Sequence, residues 1–141
     1  MEFRRNNFLI SDDPERLDLD AICDFLSRAY WANARPREVI EKSIRFSLNF
    51  GVYDGECQVG FARVVTDRAI FAYLCDVVIH EEYRGQSLGK WMLECIFSHP
   101  DLLGLRRWCL LTRDAHGLYS QFGFTELNDP SRWMEKYDAA K

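Results

Sequence analysis

The sequence lacks the marks of several large protein classes. It holds no apolar run long enough to cross a bilayer, and its first apolar piece, Phe8–Ile10, is too short for the core of a signal peptide. A cytoplasmic protein with no membrane partner is expected. Positive charge is not in excess: 18 Lys and Arg face 22 Asp and Glu, giving a net charge of −4 and a pI near 5.4. Nucleic-acid binding normally rests on a basic face, so no nucleic-acid partner is expected. The five cysteines (Cys23, Cys57, Cys75, Cys95, Cys109) are odd in number and form no CxxC, which points to reduced, mostly buried thiols rather than a disulfide framework. The three histidines are scattered without zinc-ligand spacing, so no metal is expected. Internal repeats, low-complexity tracts and Gly-, Ser- or Pro-rich linkers are also missing, and residues 1–141 read as a single domain.

Apolar material is plentiful. Hydrophobic residues make up 48% of the chain, with ten Phe, six Tyr and four Trp, enough for a true core. Asn7–Ser11 reads as a short strand and Ser11-Asp12-Asp13-Pro14 as a turn. Leu19, Ile22, Cys23, Leu26, Ala29 and Tyr30 recur at helical spacing, which predicts a helix over 19–30 with Asp18 as its N-cap. Pro36 suits the first position of a second helix, with Val39, Ile40 and Ile44 as its buried stripe. Strands follow over Ser47–Tyr53 and Cys57–Val65, joined by the hairpin signal Asp54-Gly55. After the turn Thr66-Asp67-Arg68 comes Phe71–Ile79, nearly all apolar, as expected of a strand covered on both faces.

Residues 87–97 predict a helix with Leu88, Met92 and Ile96 stacked at i, i+4, ended by Pro100. A strand over Trp108–Thr112, a short helix over Ala115–Phe122 and final strands at Phe124–Leu127 and Arg132–Tyr137 complete the chain. The order β-α-α-β-β-β-α-β-α-β predicts an α/β (α+β) fold, a mixed sheet flanked by about four helices.

The most informative stretch is Ile79-His80-Glu81-Glu82-Tyr83-Arg84-Gly85-Gln86-Ser87-Leu88-Gly89-Lys90. A buried strand runs into a short loop that feeds a helix. Gly85 and Gly89 remove side chains where a ligand would approach the backbone. First-turn amides of a helix point outward without partners, and the helix dipole favours an anion there. Arg84 and Lys90 add positive charge nearby. The pattern suits a pyrophosphate. It is not a P-loop, because Trp91 stands where Ser or Thr is required, and the spacing is not GxGxxG.

Arg84-Gly85-Gln86-Ser87-Leu88-Gly89 resembles the R/Q-x-x-G-x-G/A motif of the GNAT N-acetyltransferase superfamily, and the preceding Asp76-Val77-Val78-Ile79-His80-Glu81-Glu82-Tyr83 resembles that family's fourth strand. Downstream, Ala115-His116-Gly117-Leu118-Tyr119-Ser120-Gln121-Phe122-Gly123-Phe124 resembles its A-x-x-L-Y-x-x-x-G-F block, in the right order and separation. Two departures stand out: Ser87 where the family usually has Gly, and Thr112 where many members carry Asn.

The resemblance implies a mostly antiparallel twisted sheet and an N-acetyltransferase that uses acetyl-CoA as cosubstrate. It implies that the pantetheine arm pairs with strand backbone at Val77, Val78 and Ile79. The amides of Arg84, Gly85, Gln86, Ser87, Leu88, Gly89 and Lys90 would meet the phosphates. It also implies that Tyr119 is the general acid that protonates the departing thiolate. A phenol near pKa 10 can serve that role.

For the general base, Asp76 is the first candidate among Asp76, His80, Glu81 and Glu82, since a carboxylate in an apolar strand needs a reason; its alternative role is pairing with a neighbouring arginine or capping a loop amide. Cys75 sits in the same apolar run and reads as inert rather than nucleophilic. Tyr30 and Trp31, adjacent aromatics at a helix end, are candidate substrate-binding residues, and Arg35 would suit an acid group on the substrate. The expected partner is a small-molecule or peptide amine. Trp133 and Tyr137 are candidates for a homodimer interface. A non-catalytic acyl-CoA sensor would carry the same cradle.

Overall fold

The computed structural model describes residues 1–140. It separates into two compact units, Met1–Leu110 and the remainder from Leu111 on.

The first unit is built on a six-stranded sheet in sequential order: β1 (Glu2–Arg5), β2 (Phe8–Ser11), β3 (Leu48–Asp54), β4 (Cys57–Thr66), β5 (Phe71–Ile79) and β6 (Arg107–Cys109). Every neighbouring pair is antiparallel except β5–β6, which is parallel. Between β2 and β3 lie α1 (Leu19–Ser27) and α2 (Arg37–Arg45), and between β5 and β6 lies α3 (Leu88–Ser98). The mixed, mostly antiparallel sheet agrees with the expected fold class.

Local chemistry sets the boundaries. The Asp18 carboxylate accepts the Ala21 amide at 3.1 Å and caps α1, as its position suggested. Pro36 sits at the N-cap of α2 rather than inside it. Of the expected α2 stripe, Ile40 is buried and Ile44 is half-buried, whereas Val39 is exposed, because the helix meets its neighbours along a narrower face. Gly55, at φ +60°, makes the β3–β4 hairpin turn. In the β4–β5 turn the Asp67 carboxylate accepts the amides of Ala69, Ile70 and Phe71 at 2.9 to 3.1 Å.

The sheet buries both faces. Ile22, Phe25 and Leu26 of α1 and Ile40 of α2 pack with Phe61 and Val78 on one side. Adjacent strand residues point to opposite faces, so Ile79 turns toward α3, where its Cγ1 lies 3.8 Å from the place a Cβ on Gly89 would take. Gly60, paired with Ile79, leaves room for that side chain: a Cβ there would stand 2.7 Å from Ile79 Cδ1. Met92, Leu93 and Ile96 of α3 are fully buried.

Two expectations are corrected. Glu2–Arg5 is a strand, though its charged sequence did not suggest one; it is the sheet's outer strand and needs no apolar face. In the second unit Phe124–Leu127 and Arg132–Tyr137 form no strands; Asn128-Asp129-Pro130 breaks the segment, and Pro130–Arg132 is a single 3₁₀ turn. That unit's helix, α4, covers His116–Ser120.

Candidate functional site

The site in the first unit begins where β5 departs from its neighbours. β5 pairs with β6 only at Phe71, Ala72 and Tyr73. On its other edge the register with β4 shifts between Phe61 and Arg63, so β5 carries an extra residue. Asp76 lies in this bulge at φ +54°. Asp tolerates left-handed backbone better than most residues, so an aspartate at a bulge is chemically consistent. The ladder with β6 has ended by Leu74, so the strand backbone from there to Ile79 lies outside that ladder.

Asp76 is buried and fully partnered. Its carboxylate accepts from Arg63 Nε at 2.8 Å, from Arg35 Nη1 at 3.1 Å to each oxygen, and from the Trp31 indole N–H at 3.0 Å. Burial by itself would raise its pKa, but the charges and hydrogen bonds of Arg63, then Arg35 and Trp31, hold the carboxyl below its ordinary value. A carboxylate with this little proton affinity is a poor proton acceptor at neutral pH. The geometry therefore favours pairing with arginine, the alternative role, over general base. Sequence reading foresaw a partner for Asp76 but missed Arg63 and the Trp31 indole.

The chain from Arg28 to Pro36, between α1 and α2, is thereby pinned to the bulge. Trp31 has its indole nitrogen on Asp76 while 42% of the residue stays exposed. The Tyr30 ring stands edge-on to it, centroids 5.1 Å apart. Arg35, expected to suit an acid group on the substrate, directs Nη1 to Asp76. Cys75 is an inert thiol: burial pushes its pKa up to about 11 and its Sγ lies 3.5 Å from the Arg63 carbonyl.

Beyond β5, a 3₁₀ turn at Glu81–Tyr83 leads to α3. The His80 imidazole accepts the Glu82 amide and Glu81 is ion-paired with Arg28, so both have local structural roles. Arg84 turns its Nε back to the Ile79 carbonyl, 3.0 Å away, and its amide donates to the Glu81 carbonyl at 3.4 Å. The amides that follow, Gly85 through Lys90, donate to no acceptor among the described residues. Trp91 N–H, bonded to the Ser87 carbonyl at 3.0 Å, starts the helical pattern. The run that can meet an anion thus begins one residue later than the expected Arg84. Lys90 is exposed and enters no ion pair among the described residues, Gln86 donates to the Tyr83 carbonyl, and Leu88 anchors the turn in the core.

The two glycines act differently. Gly85 has φ +84° and needs glycine for conformation. Gly89 has no such need, and a Cβ there would meet nothing closer than Ile79 at 3.8 Å. Its bareness leaves open space above the first turn of α3, which is what a phosphate approaching these amides requires. Ser87 has φ +62° and ψ +22° and makes no side-chain cap. A left-handed N-cap explains why glycine is the usual residue at the matching motif position. Arg5 supports it: the guanidinium donates to the Ser87 carbonyl at 3.3 Å and stacks 4.7 Å from the Trp91 ring centre. Arg5 also brings positive charge to the amide run. The residues present fit a diphosphate.

In the second unit, Tyr119 lies on α4, half-buried, its ring edge-on to Phe124 with centroids 6.0 Å apart. Thr112 caps the approach to α4, its Oγ1 accepting the Ala115 amide at 3.0 Å.

Comparison with known proteins agrees with this geometry. A family model described as an acetyltransferase (GNAT) domain matches residues 47–126. A candidate acetyltransferase of Gibberella zeae is 34% identical over 140 aligned residues, covering 83% of this chain and 78% of that one. The crystal structure of a candidate GNAT acetyltransferase from Xanthomonas campestris has a TM-score of 0.92 and 42% identity, with 94% of each chain covered. A candidate acetyltransferase from Clostridium acetobutylicum, solved with acetyl-CoA, shares the fold at a TM-score of 0.66 and 12% identity, covering 93% of this chain and 95% of that one. Among the described residues no helix is long and apolar enough to cross a membrane, and no group of His, Cys, Asp and Glu is placed to hold a metal ion.

Proposed function

Because the chain belongs to the GNAT acetyltransferase family, we propose that it transfers an acetyl group from acetyl-CoA to a primary amine of a small molecule or peptide, by direct attack in a ternary complex. The observation that carries the reading is the run of undonated amides, Gly85 through Lys90, at the N-terminus of α3 beneath the bare Gly89.

These amides and the charge of Arg5 hold the diphosphate of acetyl-CoA. The backbone of Val77, Val78 and Ile79, freed from the β6 ladder, aligns the pantetheine arm, and the bulge at Asp76 brings its end beside the loop of Tyr30 and Trp31. When bound, acetyl-CoA supplies the thioester: the amine nitrogen bonds to its carbonyl carbon, the C–S bond breaks, and the acetyl group stays on nitrogen. Tyr119 gives its phenolic proton to the leaving sulfur and is reprotonated through water as the newly acylated nitrogen sheds its second proton. The proton of the incoming ammonium leaves through water, since Asp76 is held ionised by Arg63 and Arg35. Holding both reactants in line provides much of the acceleration.

The test is thiol release from acetyl-CoA against an amine panel, with acetyl-CoA binding measured alongside. Binding with amine-dependent thiol release supports the reading. Binding without turnover on any amine indicates a sensor, and no binding removes the reading altogether.

A further inference from the structure

The Asp76 cluster is unbalanced in charge. Arg35 and Arg63 converge on one carboxylate, and neither guanidinium has a second carboxylate within ion-pair distance among the described residues. Two positive charges and one negative charge leave a net +1. The side chains are only 22% and 14% exposed for Arg35 and Arg63, and 2% for Asp76. A surplus charge at such depth is poorly hydrated and is costly unless something compensates it.

The donors are also incompletely used. Arg35 binds Asp76 through Nη1 alone, and Arg63 uses Nε on Asp76 and Nη1 on the Ser47 hydroxyl at 3.1 Å. Nε and Nη2 of Arg35 and Nη2 of Arg63 donate to no protein acceptor among the described residues. Guanidinium groups with two free N–H directions suit the paired oxygens of a carboxylate or phosphate.

Position gives the surplus charge a use. Arg63 stands opposite Cys75 in the β4–β5 ladder, and Arg35 reaches the bulge from the loop that carries the exposed aromatics Tyr30 and Trp31. This is the end of β5 at which, on the acetyl-transfer reading, the reacting amine arrives.

We propose that the acceptor is a small primary amine that also carries an anionic group, a carboxylate or a phosphate, which Arg35 and Arg63 recognise beside the β5 bulge. Asp76 is then a positioning residue: it orients both guanidinium groups and lowers the site's charge to a value that one anion neutralises. The inference rests on the proposed acetyl transfer and names its substrate class.

The experiment uses matched amine pairs that differ only in the anion: glycine against glycinamide, and phosphoethanolamine against ethanolamine. kcat/KM for each is read as thiol release from acetyl-CoA. The anionic member of at least one pair is expected to exceed its neutral partner about 10-fold or more, a difference of about 1.4 kcal/mol, and which pair does so tells carboxylate from phosphate. The selectivity ratio of that pair should fall toward one in Arg35→Gln and recover in part in Arg35→Lys, with KM for acetyl-CoA tracking the parent. Thermal melting checks that the variants fold, and the wild-type ratios stand if one does not. Preference for neutral or doubly cationic amines overturns the inference while leaving acetyl transfer intact. An unchanged ratio in a folded Arg35→Gln also overturns it. Turnover of no amine at all overturns the acetyl-transfer reading, and this inference with it.

Discussion

The proposed phosphate cradle and the Asp76 cluster lie at opposite ends of the same short stretch of backbone, yet they are built in contrasting ways. The cradle is local: Gly85 through Lys90 are consecutive, and their functional groups are main-chain amides. The cluster is assembled from afar. Trp31, Arg35 and Arg63 come from a helix–helix loop and a neighbouring strand to meet one carboxylate. The cradle depends on side chains being absent, and the cluster on their charges balancing. A site of the first kind suits a ligand that is the same throughout a family. A site of the second kind changes with a single residue.

The contrast predicts that damage to the cluster is felt in folding and damage to the cradle in binding. The largest effect is expected from Asp76→Ala, which leaves two buried guanidinium groups without their carboxylate. A loss of about 3–5 kcal/mol is expected, as for breaking a buried ion pair from one side, read from denaturant midpoints. The pH dependence has a definite sign. The native carboxyl of Asp76 lies below its ordinary value near 3.8, so its stabilisation is present above that pH and fades as pH falls through the native value. Asp76→Asn should flatten that part of the stability profile, and a profile identical to the parent's would count against the pairing.

Next in size is Tyr119→Phe. Removing a general acid should lower kcat by about 10²-fold or more, with acetyl-CoA affinity unchanged. An unaltered kcat would exclude Tyr119 from the chemistry. The smallest effect is expected from Ser87→Gly. Relief of a left-handed non-glycine residue should stabilise the chain by about 1 kcal/mol, visible as a higher Tm, with acetyl-CoA binding retained. If the substitution destabilises, Ser87 has a role beyond its backbone angle.

The same contrast decides what the sequence could reveal. The strand-loop-helix segment was legible because its residues are contiguous and Gly85 constrains the backbone directly; β5 was placed at Phe71–Ile79, as found. Asp76 was conspicuous as a charge in an apolar strand, but Arg63 looked like an ordinary residue of β4. The two are 13 positions apart, and only the bulge joins them. The positive φ of Asp76 likewise arises from pairing register, which composition does not encode. β1 was missed because an outer strand can be built from charged residues such as Glu2 and Arg4. The tail was misjudged because its aromatics mimic strand patterning around Pro130.

On the proposed function, the amides of Gly85–Lys90 hold the diphosphate of acetyl-CoA through the space left by Gly89. Calorimetric titration of the parent and of Gly89→Val with acetyl-CoA tests it most directly. Beyond its own stretch of helix, the nearest atom to a Cβ at position 89 is Ile79 Cγ1 at 3.8 Å, so the variant should remain folded. Saturable binding by the parent is expected, with at least about 10-fold weaker binding by the folded variant, the loss of roughly one well-made phosphate contact. Equal affinities, or no binding by the parent, would contradict it.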